Sequence, residues 1–176
     1  MRRAAGFIAP AARRSSCTAA VGKEPAVYAL AATLALAAAL AAPQPPGPKD
    51  RCAVCGMQVA GHRAWAAQVR FTDGKVFHFD GAKDLMRFLY DVAGYAPGRD
   101  AAAVAEAWVT DYYEVRPVLA RDAWFVVGSD VLGPMGRELV PFASEAKARS
   151  FAKDHHGERV LRAADLTAAL LEALDR

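Results

Sequence analysis

One local pattern occurs twice along this chain, and it limits the fold more tightly than composition does. Trp65-Ala-Ala-Gln-Val-Arg-Phe71 alternates apolar and polar residues, breaks at Asp73-Gly74 and resumes as Val76-Phe-His-Phe79. Alternation is the period of a half-buried strand, and Asp-Gly between two such runs signals a hairpin. After Asp80-Gly81 the period becomes helical, with Leu85, Phe88, Leu89 and Val92 on one side and a stop at Gly94 and Pro97. The same order then returns. Trp124-Phe-Val-Val-Gly128 reads as a strand, Gly133-Pro-Met-Gly136 as a turn and Leu139-Val-Pro-Phe142 as the returning strand. Ser144 is placed to cap a helix reaching about His155. Phe79 to Phe88 and Phe142 to Phe151 share a spacing of nine residues, from strand end to apolar helix face. A further strand follows each helix, near Ala107–Asp111 and Glu158–Leu161, and a last helix falls near Ala164–Leu174.

The expected fold is therefore α+β, a tandem repeat of two small ββαβ units with a C-terminal helix. The boundaries are 51–116 for the first unit and 117–176 for the second. A hairpin with one helix is marginal alone, so the units are expected to pack together and share a core; two linked small domains are the alternative. Trp65 and Trp124 are read as core anchors.

Residues 1–42 differ in kind from the rest. Ala26–Ala42 is uncharged and mostly Ala and Leu, preceded by Arg2, Arg3, Arg13, Arg14 and Lys23. A basic region, an apolar run and small residues such as Ala39-Leu40-Ala41 resemble a secretory signal. At 17 residues the run is also at the short limit of a membrane span, so an uncleaved anchor is the other route to export. The expected location is periplasmic or extracytoplasmic. Residues 43–50 form a proline-rich linker, Pro43-Gln-Pro-Pro-Gly-Pro48, expected to run extended and hold the folded part away from the leader. Beyond Ala42 the chain carries 17 Lys plus Arg against 18 Asp plus Glu. The net charge of +3 therefore belongs to the leader, which argues against a nucleic-acid partner.

Of three cysteines, Cys17 lies in the leader, leaving Cys52 and Cys55. One CxxC pair is too little to staple a small exported domain, and reads better as a reactive or metal-binding pair. Met57 follows in the same glycine-bearing loop. Met135 sits between Gly133-Pro134 and Gly136, with no helix or strand to pack from, whereas Met86 belongs to the first helix. Thiolate and thioether together select soft ions such as Cu(I). Cys52, Cys55, Met57 and Met135 are the candidate metal ligands, in a Cys–Met–Met or Cys–Cys–Met set. Among His62, His78, His155 and His156, His156 is the best candidate for an added nitrogen. A closed zinc site lacks its second ligand pair. Asp80 and Asp130 read as turn and cap residues. No G-x-S-x-G, H-E-x-x-H or phosphate loop is present, so no hydrolase is indicated and no enzyme is expected.

Cys52-Ala-Val-Cys-Gly-Met57, Phe77-His-Phe-Asp-Gly81, Asp111-Tyr112 and Val127-Gly-Ser-Asp-Val-Leu-Gly-Pro-Met-Gly136 resemble the NosL family over about Asp50–Leu166. The resemblance implies a copper-binding accessory factor for nitrous oxide reductase, with tandem ββαβ architecture and Cu(I) delivery to the reductase's catalytic site. It implies the reductase apoprotein or its maturation machinery as partner, and Cys55, Met57 and Met135 as metal residues. Two departures stand out. The lipid-anchor cysteine of many members is missing after the apolar run, and Cys52 adds a second thiol to a loop that often has one. The alternatives are a periplasmic CxxC thiol–disulfide oxidoreductase, or a soft-metal binding or tolerance protein.

Overall fold

The computed structural model describes residues 42–175; the expected leader lies outside them except for Ala42. Strand β1 (Ala67–Phe71) turns through Asp73-Gly74 into β2 (Val76–Phe79) and pairs with it antiparallel. Gly74 takes φ +83°, the left-handed conformation that this tight turn requires of it. Helix α1 (Ala82–Tyr90) ends at Asp91, whose side chain accepts from the Gly94 amide and starts the short α2 (Val92–Tyr95). Strand β3 (Val104–Thr110) then returns to the other side of β1, and β4 (Pro117–Leu119) adds an edge that the sequence pattern did not reveal. The sheet order is β2-β1-β3-β4.

The second half supplies β5 (Trp124–Val127), a two-stranded hairpin of β6 (Leu132–Gly133) and β7 (Gly136–Arg137), then β8 (Val140–Phe142). Helix α3 (Glu145–Asp154), strand β9 (Arg159–Arg162) and helix α4 (Ala168–Ala173) complete it. Its three-stranded sheet has the order β8-β5-β9, and both pairings are antiparallel.

Two apolar clusters hold these elements. In the larger, Val69 and Phe71 of β1 and Phe79 of β2 meet Leu85 and Phe88 of α1, and the Phe88 ring lies 5.1 Å from both Phe77 and Phe79. The same cluster runs on into Phe125 and Val127 of β5, Leu139, and Leu170 and Leu171 of α4. Each such side chain is worth roughly 1.5–3 kcal/mol when fully buried. Val126 of β5 points the other way, joining Val140, Phe142, Ala148 and Phe151 in the second cluster. With apolar contacts on both faces, β5 reads as a continuous apolar run and not an alternating one.

Several expectations need adjusting. The proline-rich segment does not stand clear of the body: Pro46 is buried, and its carbonyl accepts from Arg63 Nη2 at 3.4 Å. Ser144 occupies the N-cap of α3, but its side chain makes no capping bond. The final helix starts at Ala168, after a 3-10 turn at Ala163–Asp165, with the Thr167 hydroxyl accepting from Leu170 N. Trp65 and Trp124 do pack against the smaller core cluster, as expected, though each stays half-buried. Trp65 packs on Tyr112, and Trp124 lies under the Arg162 guanidinium.

Candidate metal centre

The Cys52–Met57 segment folds into a tight turn because its backbone bonds close on themselves. Cys52 N donates to the Met57 carbonyl at 2.7 Å and Gly56 N to the Cys52 carbonyl at 2.9 Å, with Gly56 at φ +78°. Ala53 N donates to the His78 carbonyl at 3.1 Å, which docks the turn along β2. The turn therefore lies beside the residues where β2 passes into α1.

At that junction stand Asp80, directly after β2, and Asp84 in the first turn of α1. Their carboxylates come together across the strand–helix junction, and both are buried. Cys52 Sγ donates to Asp84 Oδ2 at 3.2 Å, and Cys55 Sγ lies 3.5 Å from each oxygen of Asp80. One ligand atom from each of Cys52, Cys55, Asp80 and Asp84 lies within 4.8 Å of the other three. The other oxygen of Asp84 is held by Arg87 Nη1 at 3.3 Å.

Both cysteines are free thiols. Burial pushes the Cys52 thiol far up, outweighing its backbone hydrogen bonds, and burial likewise raises Cys55 to about 11. Cys55 is exposed as a residue, but its sulfur is turned toward buried Asp80. The carboxylates beside the thiols add to the upward shift on both. A nucleophilic CxxC would need the opposite, a thiol lowered by a helix N-terminus or a cation. Metal capture by these thiols would require the ion to displace their protons.

Of the four ligands expected from sequence, the structure brings Cys52 and Cys55 together. Met57 is half-buried against the main core at the end of the same turn. Met135 is 48% exposed at the tip of the β6–β7 hairpin. No histidine joins the Cys/Asp group among the described residues. His155 stacks on Phe151 and faces Asp130 at 3.2 Å, and His156 takes φ +56° at the helix end. His78 faces Asp50 at 3.4 Å, and burial lowers its pKa. Met86 is buried in the core.

Asp80 and Asp84 were missed by sequence reading, which took Asp80 for a turn residue. Their four-residue spacing across the strand–helix junction was the available signal, but only the docking of the cysteine turn on β2 gives it meaning. A cavity of about 270 Å³ lined by Pro45, Gln68, His78 and Trp108 holds neither cysteine nor carboxylate in its walls.

Known proteins supply an independent comparison. The chain is similar to the crystal structure of the copper chaperone NosL from Shewanella denitrificans at 26% identity and a TM-score of 0.61, covering 72% of this chain and 96% of that one. A solution structure of the apo-NosL protein from Achromobacter cycloclastes matches at 26% identity and a TM-score of 0.43, covering 60% and 87%. A search of the curated proteins returned no match. The NosL family model matches residues 43–171, and with nearly all of the described chain inside that match, the protein belongs to the NosL family.

Proposed function

We propose that this chain is a Cu(I) metallochaperone, exported to the periplasm and delivering copper for maturation of the nitrous oxide reductase catalytic site. It acts by binding and handover and is not an enzyme. The observation that carries the reading is the pair of free thiols converging on one partly buried point. Thiolate sulfur selects Cu(I) over harder ions, and the Shewanella relative is a copper chaperone. Cys52 and Cys55 would hold the ion, with Met57 from the same turn and Met135 from the hairpin completing a sulfur set. Asp80 and Asp84 would orient the thiols and accept the charge of their leaving protons. Because both thiols start protonated, loading releases protons, and the apparent affinity rises with pH. The ion is cargo, and an exposed Met135 is a ligand that a recipient's residue can replace.

The strand orders β2-β1-β3-β4 and β8-β5-β9 place each half's third strand beside its first, while β4 (Pro117–Leu119) pairs with β3 and so moves the division from 116/117 to after Leu119. That correspondence supports two copies of one ββαβ unit. Among the described residues no helix is long and apolar enough to cross a membrane. The recipient would be the reductase apoprotein or its maturation machinery.

A second reading has one observation in its favour. Two thiols and two carboxylates are a four-ligand set that a borderline ion such as Zn²⁺ accepts. Titration with Cu(I) against a chromophoric chelator, beside Zn²⁺ in the same buffer, separates them. One tightly held Cu(I) per chain is expected, bound roughly 100-fold more weakly in Cys55→Ser; preferential Zn²⁺ retention overturns the copper reading. Strong insulin reduction by the apo-protein would instead establish the oxidoreductase alternative.

A further inference from the structure

Glu138 follows β7 directly and is 4% exposed, an expensive place for a carboxyl group unless it is held. Its Oε1 accepts from Lys83 N at 2.6 Å and from Leu139 N at 2.9 Å. Lys83 is the second residue of α1, and the N-cap position is Gly81, which has no side chain to offer. Glu138 thus caps α1 from 55 residues away, doing what a local Ser or Asp would do. Its accepting oxygen also faces the positive end of the helix.

The surroundings are shaped for it. A Cβ at Gly81 would lie 2.2 Å from Glu138 Oε2 and 2.8 Å from Cδ. A Cβ at Gly133 would lie 2.9 Å from both Cβ and Cγ of Glu138. One of these glycines belongs to the junction between Asp80 and Asp84, and the other to the hairpin that carries Met135. The clasp is also reciprocal: Lys83 Nζ donates to the Arg137 carbonyl at 2.8 Å while its backbone N–H donates to Glu138. Three of these contacts, Glu138 with Lys83 N, Glu138 against Gly81 and Lys83 Nζ with the Arg137 carbonyl, join the end of the hairpin to the five residues 80–84 that carry both carboxylates of the thiol cluster.

We infer that Glu138 is a positioning residue that fixes the Met135 hairpin on the N-terminus of α1 and so presents Met135 to Cys52 and Cys55. This rests on the reading of Met135 as a copper ligand. Without the clasp the hairpin loses its hydrogen bonds to α1, and Met135 is lost from the ion although its thioether is intact.

The test is a double-mutant cycle in the full chain, reading Cu(I) affinity by chelator competition and sulfur coordination by X-ray absorption. Met135→Leu and Glu138→Ala are each expected to weaken binding about tenfold and to remove one sulfur from the shell. The double variant is expected to be no weaker than either single one, and Glu138→Gln, which keeps the Oε1 acceptor, to restore nearly all the affinity. A purely structural role would not change the sulfur count. Wild-type affinity and sulfur count in folded Glu138→Ala, or additive losses in the double variant, would overturn the inference while leaving Met135 a ligand. Met135→Leu binding as tightly as the parent would overturn the ligand reading itself, and the inference with it. Should Glu138→Ala not fold, Gly133→Ala crowds Glu138 from the hairpin side alone and is expected to give the same loss of one sulfur; its full retention would count against the clasp.

Discussion

The cysteine turn and the Met135 hairpin are both attached to the junction between β2 and α1, by different means. The turn is bonded within itself, docked on β2 through Ala53, and tied to the following 3-10 turn through Val59 N and the Asp50 carbonyl at 3.0 Å. Its thiols face buried carboxylates. The hairpin pairs only with itself, as a two-stranded sheet, and leaves Leu132 63% and Met135 48% exposed. Carriers must both retain an ion and release it. On the function proposed above, the thiols of the turn would serve retention and the exposed Met135 thioether would serve exchange.

The comparison presupposes that both regions belong to one cooperative body. Phe88 anchors the larger core and Phe151 the smaller, and β5 contributes side chains to both. Phe88→Ala and Phe151→Ala are each expected to cost about 3–5 kcal/mol, and each variant should melt in one transition seen alike by near-UV and far-UV circular dichroism. Two separated transitions would return the linked-domain alternative and break the comparison at its base. Next in size is Cys55→Ser, expected to cost about 3 kcal/mol of Cu(I) binding, roughly 100-fold, by chelator competition. Asp80→Asn is expected to cost about tenfold, since groups that orient a ligand typically matter at that level or above. Loss of Cys55 with little effect on affinity would move retention away from the turn.

Much of the fold was legible because its signals are local. Asp73-Gly74 between alternating runs gave β1 and β2, and the Phe79–Phe88 and Phe142–Phe151 spacings located α1 and α3. Strand β4 was not legible: Pro117–Leu119 is three residues long and opens with a proline, so neither alternation nor propensity marks it. The sulfur half of the site could be read from the softness of its ligands. Its oxygen half could not, because Asp80 and Asp84 become partners of Cys52 and Cys55 only through the pairing of the turn with β2. Glu138 was invisible for the same reason. Nothing near Arg137-Glu138-Leu139 indicates that this carboxyl caps a helix begun at Ala82.

The exposed side of the comparison is sharpened by Met135→Leu read for stability as well as affinity. A half-exposed hairpin tip contributes little to the core, so the substitution is expected to shift the melting temperature by no more than a degree or two while weakening Cu(I) binding about tenfold. A large loss of stability would mean that Met135 packs and does not reach the ion.

The last expected effect is electrostatic, and it reports on the clasp. Burial raises the Glu138 carboxyl to about 7, from an ordinary value of 4.5, against the opposing pull of the Leu139 and Lys83 amides. Between those two values the folded chain keeps a proton that the unfolded chain has lost, so stability falls as pH rises through the window and levels off above it. One such proton changes stability by at most about 1.4 kcal/mol per pH unit, and about 1 is expected across the middle of the window. Denaturant melts of apo-protein from pH 4.5 to 8 measure that slope. Glu138→Gln has no proton to lose, and the downward limb should vanish in that variant while the rest of the profile is kept. A limb that persists in Glu138→Gln would assign the slope to another group and leave Glu138 ionised in its cap. In that case the clasp would hold the hairpin by charge, and its strength would fall with added salt.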